Sequence, residues 1–303
     1  MSLVSSGIRQ NSSSKWNSGE SHYPKIKLWQ STRHAANTDG TTRMSEIKAF
    51  IFDQDGVIVD TERDGHRVAF NRTFAEFGLD VEWGVDEYHQ LLQVGGGKER
   101  MTHYLRTRGF GVAVKPDEAA ELIQRLHRRK TDLFIELIES GALPLRPGVR
   151  RIMEEAAGLG LTLGICTTSN ERAARAISSG LLAGIPIAFV LAGDVVSAKK
   201  PDPAIYRLAL EKSGLQADLC VVFEDSHIGA IAAKAAGMHV VATTNRYTEN
   251  EDLSMADVVV NCLGEADGPQ AEVRPGGREL ILTDGCVHAH ALVELFSSKE
   301  TTT

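Results

Sequence analysis

From Ile47 onward the chain alternates short β-branched runs with helix-like stretches, and this alternation restricts the fold more than any other feature. It is the pattern of a parallel sheet covered by helices. The expected strands are KAFIF (48 to 52), LTLGIC (161 to 166), IAFVLAG (187 to 193), LCVVF (219 to 223), HVVAT (239 to 243) and DVVVN (257 to 261). The long interval between the first two reads as helices only. It is far too long for one crossover, so it is expected to be an inserted second domain, from about Asp64 to Leu143, closed by Pro144, Pro147 and Gly148.

In open parallel sheets, ligands bind outside the carboxyl ends of the strands, and here those ends carry the polar chemistry. The first strand runs into Asp53 and Asp55, and the second into Thr167, Thr168, Ser169 and Asn170. The segment after the third supplies Lys199 and Lys200 between flanking prolines, and the fourth ends in Glu224, Asp225 and Ser226. Carboxylates gathered on one rim repel one another unless a cation sits among them. A few hard oxygen ligands with room for water and substrate suit Mg²⁺. A metal held this way is placed to hold a phosphoryl group, with Lys200 and the Thr167 hydroxyl neutralising its other oxygens. Asp53 then reads as a nucleophile and Asp55, two residues on in an extended chain, as general acid and base. The choice between Thr167 and Thr168 as the phosphate hydroxyl is open by one position.

Composition narrows the partners. The formal net charge of -7 gives no support to a nucleic-acid-binding surface, and no apolar segment approaches the length needed to span a bilayer. A small metabolite is the expected partner, and a monomer the expected state. Cys166, Cys220, Cys262 and Cys286 are widely spaced, which suggests neither a zinc site nor a disulfide framework. Residues 1–45 are rich in Ser, Asn and Thr, have only Glu20 and Asp39 as acids, and show no apolar periodicity. They read as an organelle transit peptide or as a disordered leader. A chloroplast address is expected, with the cytoplasm as the alternative.

The motifs DQDGV (53 to 57), CTTSN (166 to 170), KKPDP (199 to 203) and FEDSHIGAIAAKAAG (223 to 237), in that order, resemble the four motifs of the haloacid dehalogenase superfamily. The resemblance implies a Rossmann-like α/β core, residues 46–63 and 144–265, with a small helical cap, residues 64–143, inserted after the first strand. It implies Asp53 as nucleophile, Asp55 as acid and base, Thr167 as phosphate-binding hydroxyl and Lys200 as the charge-stabilising lysine. It also implies Mg²⁺ on Asp53, Asp55 and Asp225, with Glu224 assisting. The cap looks like that of the β-phosphoglucomutase and phosphoglycolate phosphatase branch. The runs DTERDGHRVAFNRTFAEFGLDVEW (60 to 83) and EYHQLLQVGGGKERMTHYL (87 to 105) are similar to the CbbY group, phosphatases that degrade the Rubisco inhibitor xylulose 1,5-bisphosphate. Glu62, His66, Gly97, Lys98 and Arg100 become expected substrate contacts, with Thr168 and Ser169 beside the phosphoryl group. Gln54 departs from the usual apolar or small residue, and residues 266–303 match no pattern and have no assigned role.

Other readings stand beside these. His66, Phe70, Phe74 and Phe77 fall at helical spacing, so the aromatics are expected to form a core stripe, with His66, at its open end, expected to contact the substrate and a satisfied core histidine as the alternative. The glycines before Lys98 and Arg100 are either a turn or a loop that presents backbone N–H groups and two cations to a second phosphate. His288 and His290, without further ligands, read as surface residues. A mutase that returns the phosphoryl group to the sugar uses the same core. A phospho-receiver signalling module also gathers acids, a Thr and a Lys at strand ends, but has no use for a long cap.

Overall fold

The expected strands all form and lie in one sheet. In the computed structural model the described residues are 44–299 apart from Gly95, Asp194 and Gly276. All of these belong to the unit Thr42–Thr303, and the expected leader lies outside the described residues except for Met44 and Ser45. The strands are β1 (Met44–Ser45), β2 (Ala49–Phe52), β3 (Thr162–Cys166), β4 (Ile187–Leu191), β5 (Cys220–Glu224), β6 (His239–Thr243), β7 (Val258–Val260) and β8 (Ser298–Lys299). The main sheet is parallel, in the order β4-β3-β2-β5-β6-β7, while β1 pairs antiparallel with β8. The central strands β2 and β5 are buried along their whole length. That burial explains why they read as continuous apolar runs rather than alternating ones.

The helices are α1 (Arg67–Glu76), α2 (Val85–Leu91), α3 (Gly97–Thr107), α4 (Pro116–Glu139), α5 (Val149–Gly158), α6 (Glu171–Ala176), α7 (Ala204–Ser213), α8 (His227–Ala235) and α9 (Ala289–Phe296). The first four make the insertion. A π-helical turn, Thr61–His66, leads into α1. Phe70 and Phe74 of α1 are fully buried with Trp83, Tyr88, Met101 and Phe110, which gives the cap a core of its own. Burying an aromatic or aliphatic side chain contributes roughly 1.5–3 kcal/mol. The far end of α4 behaves differently: Leu133, Phe134, Leu137 and Ile138 join the core beneath the sheet. Val59 pairs with Leu145, and Arg146 N–H donates to the Ile58 carbonyl at 2.9 Å, so the two chain crossings into the cap lie side by side.

The C-terminal stretch is part of the core rather than an appendage. Val287, Leu292 and Phe296 are buried in the same cluster as Ile152 and Met153 of α5. Glu155 of α5 accepts the Ala289 N–H at 2.8 Å and contacts His288 Nδ1 at 2.9 Å, satisfying the open start of α9. His288 is thereby committed to a carboxylate. Among the described residues, no helix is long and apolar enough to cross a membrane, and the four cysteines are buried and free of disulfides.

Candidate active site

Parallel register builds the site. Phe52 pairs with Ile165 on one side and Phe223 on the other, so the next residues, Asp53, Cys166 and Glu224, emerge together at the carboxyl edge. Asp53 N–H donates to the Phe223 carbonyl at 2.9 Å and Thr167 N–H to the Leu191 carbonyl at 2.9 Å, extending the ladder one residue past each strand. Asp53, Thr167, Glu224 and Asp225 are all buried. Thr168 is exposed, which separates the two neighbouring threonines: Thr167 faces the site, and its hydroxyl accepts the Ser169 N–H at 3.1 Å.

Lys200 Nζ lies 2.5 Å from Asp53 Oδ1 and 2.5 Å from Glu224 Oε1, and donates a longer bond to the Cys166 carbonyl at 3.3 Å. Tyr206 of α7 donates to the same Glu224 oxygen. Burial works against the Lys200 charge, yet the carboxylates of Asp53 and Glu224 outweigh it and hold the ammonium protonated. Asp53 and Asp225 are both pushed up by burial; among their neighbours, Glu224 raises both, while Lys200 opposes the rise at Asp53. Carboxylate oxygens of Asp53, Glu224 and Asp225 come within 4.8 Å of one another. Lys200 beside Asp53 and Glu224, and the Arg146 guanidinium acting on Asp225, still leave three buried acids facing two cations, a cage short of positive charge. Its hard oxygen donors fit a Mg²⁺-type ion.

Asp55 stands apart from that triad. Thr61 donates to its Oδ1 at 2.6 Å and Ser169 donates to its Oδ2, so both oxygens are oriented by hydroxyls. Gly56 follows at φ 83°, a left-handed conformation, and a Cβ there would run into the Asp225 carboxylate and the Asn245 amide. Between this rim and the cap lies a cavity bordered by Asp55, Asp60, Glu62, His89, Gln93 and Tyr247, among others.

The cap residues expected at the substrate divide into two groups. Glu62 borders the cavity and accepts from the Tyr88 hydroxyl at 2.6 Å; Tyr88 in turn accepts from Arg100 at 2.8 Å. Arg100 is buried and also donates to the Leu91 carbonyl at 3.0 Å, so its guanidinium is anchored inside the cap. Lys98 lines an outer groove with Glu99, Thr102, His103 and Arg106 instead of the cavity. The cause is helical geometry, since residues two apart on α3 are rotated by about 200° about its axis and so face nearly opposite sides. Gly97 opens α3 where a Cβ would press on the rings of His127 and Phe70, so close packing explains this glycine. His66 rests on Phe134, centroids 3.9 Å apart, with its Nδ1 2.9 Å from Lys130 Nζ. Burial, then the Lys130 charge, pushes the imidazole well below its usual range and keeps it neutral.

Sequence reasoning missed several residues that hold this site. The Arg146 guanidinium donates to the carbonyls of Gly56, Thr243, Thr244 (2.6 Å) and Asn261 (3.0 Å), pinning three strand-end loops. Asn245 donates to Asp225 Oδ2 at 2.7 Å. Lys130, on α4, is a buried lysine facing Glu62. Its position in RLHRRK gives no sign of this, because only the 3.6-residue phase against Leu126, Leu133 and Phe134 turns it inward.

The sequence pattern of the haloacid dehalogenase-like hydrolases matches residues 47–237. A CBBY-like protein of Arabidopsis thaliana is 48% identical over 253 residues, covering 82% of this chain and 79% of the relative. A phosphoglycolate phosphatase of Rhodospirillum rubrum is 32% identical over 214 residues, covering 70% and 86%. Among solved structures, a CbbY mutant from Rhodobacter sphaeroides in complex with xylulose-(1,5)bisphosphate superposes with a TM-score of 0.61 at 36% identity, covering 73% of this chain and 97% of that one. With its parallel core, inserted cap and acid-lined strand ends, the chain belongs to the haloacid dehalogenase-like hydrolases, has CbbY proteins among its relatives, and is a phosphatase of that family.

Proposed function

We propose that the chain removes a phosphoryl group from a sugar bisphosphate, xylulose 1,5-bisphosphate or a close relative, through an aspartyl-phosphate on Asp53. The observation that carries this reading is the division of labour between the two aspartates. Asp53 sits buried against Lys200, while Asp55 is held by two hydroxyls at the mouth of the cavity. Asp53 attacks phosphorus, and the bond to the sugar oxygen breaks. Asp55 gives its proton to that leaving oxygen, then takes one from the water that hydrolyses the aspartyl-phosphate. Lys200 and the Thr167 hydroxyl stabilise the phosphoryl oxygens. A Mg²⁺ ion held by Asp53 and Asp225, with Glu224 beside them, supplies further charge neutralisation when bound.

For the second phosphate, support comes from the positive charge around Glu62. Arg100, then Lys130, are the cations that act on its carboxylate. Lys98 is the weaker candidate, because it lines the outer groove. The relative bound to xylulose-(1,5)bisphosphate supports the substrate. The test is Mg²⁺-dependent phosphate release across xylulose 1,5-bisphosphate, ribulose 1,5-bisphosphate, phosphoglycolate, glucose 6-phosphate and β-glucose 1-phosphate. Preference for the first is expected. Preference for another ester replaces the substrate, and conversion of β-glucose 1-phosphate to glucose 6-phosphate without release replaces hydrolysis by phosphoryl return.

A further inference from the structure

Residues 245–248 tie the core to the cap. The Asn245 side chain reaches in two directions. Its amide donates to Asp225 Oδ2, and its Oδ1 accepts the backbone N–H groups of Tyr247 (2.8 Å) and Thr248 (3.2 Å). Thr248 Oγ1 accepts the Asn245 N–H at 3.1 Å, closing the turn. From this fixed turn the Tyr247 ring leaves the core and packs against the cap's aromatic cluster, meeting His89 of α2 edge-on with centroids 5.0 Å apart. The neighbouring Arg246–Asp86 pair, at 2.7 Å, is well exposed and contributes little. The ring is therefore the stronger part of the clasp.

The Tyr247 hydroxyl is buried with no hydrogen-bond partner among the described residues. Burial, then the Asp60 carboxylate, pushes its pKa up to about 12. A phenol left unpaired in this way gains nothing from its oxygen. What the side chain supplies is the face and edge of an aromatic ring, held in register with Asp225 through Asn245.

We propose that Tyr247 is a positioning residue that clasps the cap over Asp225 and so sets the preference for sugar phosphates over small phosphate esters; this rests on the phosphatase reading above. A sugar phosphate must be enclosed between α2 and the rim, and closure assembles its contacts and excludes water. A small aryl phosphate draws on the phosphoryl contacts alone. Loosening the clasp penalises the first kind of substrate more than the second.

The experiment compares kcat/KM for xylulose 1,5-bisphosphate with kcat/KM for p-nitrophenyl phosphate, in Mg²⁺, for wild type, Tyr247→Ala, Tyr247→Phe and His89→Ala. In Tyr247→Ala the ratio is expected to fall at least about tenfold, and Tyr247→Phe is expected to restore it. Hydrogen exchange of the α2 amides should quicken in Tyr247→Ala and return to the wild-type rate in Tyr247→Phe. An unchanged ratio in Tyr247→Ala overturns the proposal, as does a Phe variant as impaired as the Ala variant. Should Tyr247→Ala not fold, His89→Ala, which removes the other half of the ring pair, is read against the same criterion. If the wild type hydrolyses the aryl ester but no sugar phosphate, the substrate reading fails separately, and unchanged exchange in α2 overturns the clasp by itself.

Discussion

Lys200 holds its ammonium nitrogen 2.5 Å from Oδ1 of Asp53, and at the same distance it meets Oε1 of Glu224. All three side chains are at most 10% exposed, so one cation is shared by two buried carboxylates. Removing one partner of a buried ion pair leaves uncompensated charge, which costs about 3–5 kcal/mol. Lys200→Met is expected to lower the melting temperature and to reduce phosphate release by at least about a hundredfold. Calorimetry and a phosphate assay on the same preparation check both effects. A stable variant with near-wild-type turnover contradicts the role given to Lys200.

Arg100 and Lys98, two residues apart, should behave differently. Arg100 is buried and bonded to Tyr88 and the Leu91 carbonyl, whereas Lys98 lines the outer groove. Arg100→Ala removes one of the two donors to the Leu91 carbonyl, which keeps the Val94 N–H, and loosens the Tyr88–Glu62 contact, so it should destabilise by about 1–3 kcal/mol and raise KM for a bisphosphate. Lys98→Ala should change stability by less than about 0.5 kcal/mol and leave KM within a factor of about two. Denaturant titration and steady-state kinetics on the two variants decide between this arrangement and a distal phosphate held by Lys98.

Much of this was legible in the sequence, for reasons that can be located. β2 and β5 are buried on both faces, so their apolar runs and the acids that end them stood out. The cap was visible as a strand-free interval, and its aromatic stripe at Phe70 and Phe74 obeyed helical spacing. Arg146, Asn245 and Tyr247 were not legible. Their roles come from contacts with residues far along the chain, such as Arg146 to Asn261 and Tyr247 to His89, which no local pattern encodes. The same holds for Val287, Leu292 and Phe296, whose stretch joins the core where Glu155 meets the start of α9. Lys98 and Arg100 stand together in the sequence as two cations beside a glycine loop, but their two-residue offset on α3 turns only Lys98 to the outer groove.

Lys130 gives a pH signature. Burial lowers its pKa from 10.5 to about 8, with Glu62 acting against the shift. Above pH 10.5 the amine is neutral in both folded and unfolded chains and has no linkage effect. As pH falls from 10.5 towards 8 the unfolded chain takes up the proton first, so folding is progressively penalised. Below 8 the penalty is complete, on the order of 3 kcal/mol. Lys130→Met should therefore gain stability relative to wild type at pH 7, and that gain should shrink by pH 10. Thermal melts at the two pH values measure this, and a pH-independent difference rules it out.

Gln54, between Asp53 and Asp55 in the chain, is fully buried, and neither atom of its amide finds a partner among the described residues. A buried, unpaired amide costs about 1–3 kcal/mol. Gln54→Met keeps the volume and removes the polar atoms, so the melting temperature should rise. A fall would show that the amide is satisfied in solution.

The central claim is that Asp53 takes the phosphoryl group, and the most direct measurement replaces that one carboxylate by an amide. Phosphate release from xylulose 1,5-bisphosphate in Mg²⁺ would be compared for wild type and Asp53→Asn, with circular dichroism to establish that both are folded. The account predicts steady release by the wild type and none above background for a folded Asp53→Asn. Release by Asp53→Asn at a rate near wild type would contradict it, because an amide cannot form the aspartyl-phosphate on which every later step depends.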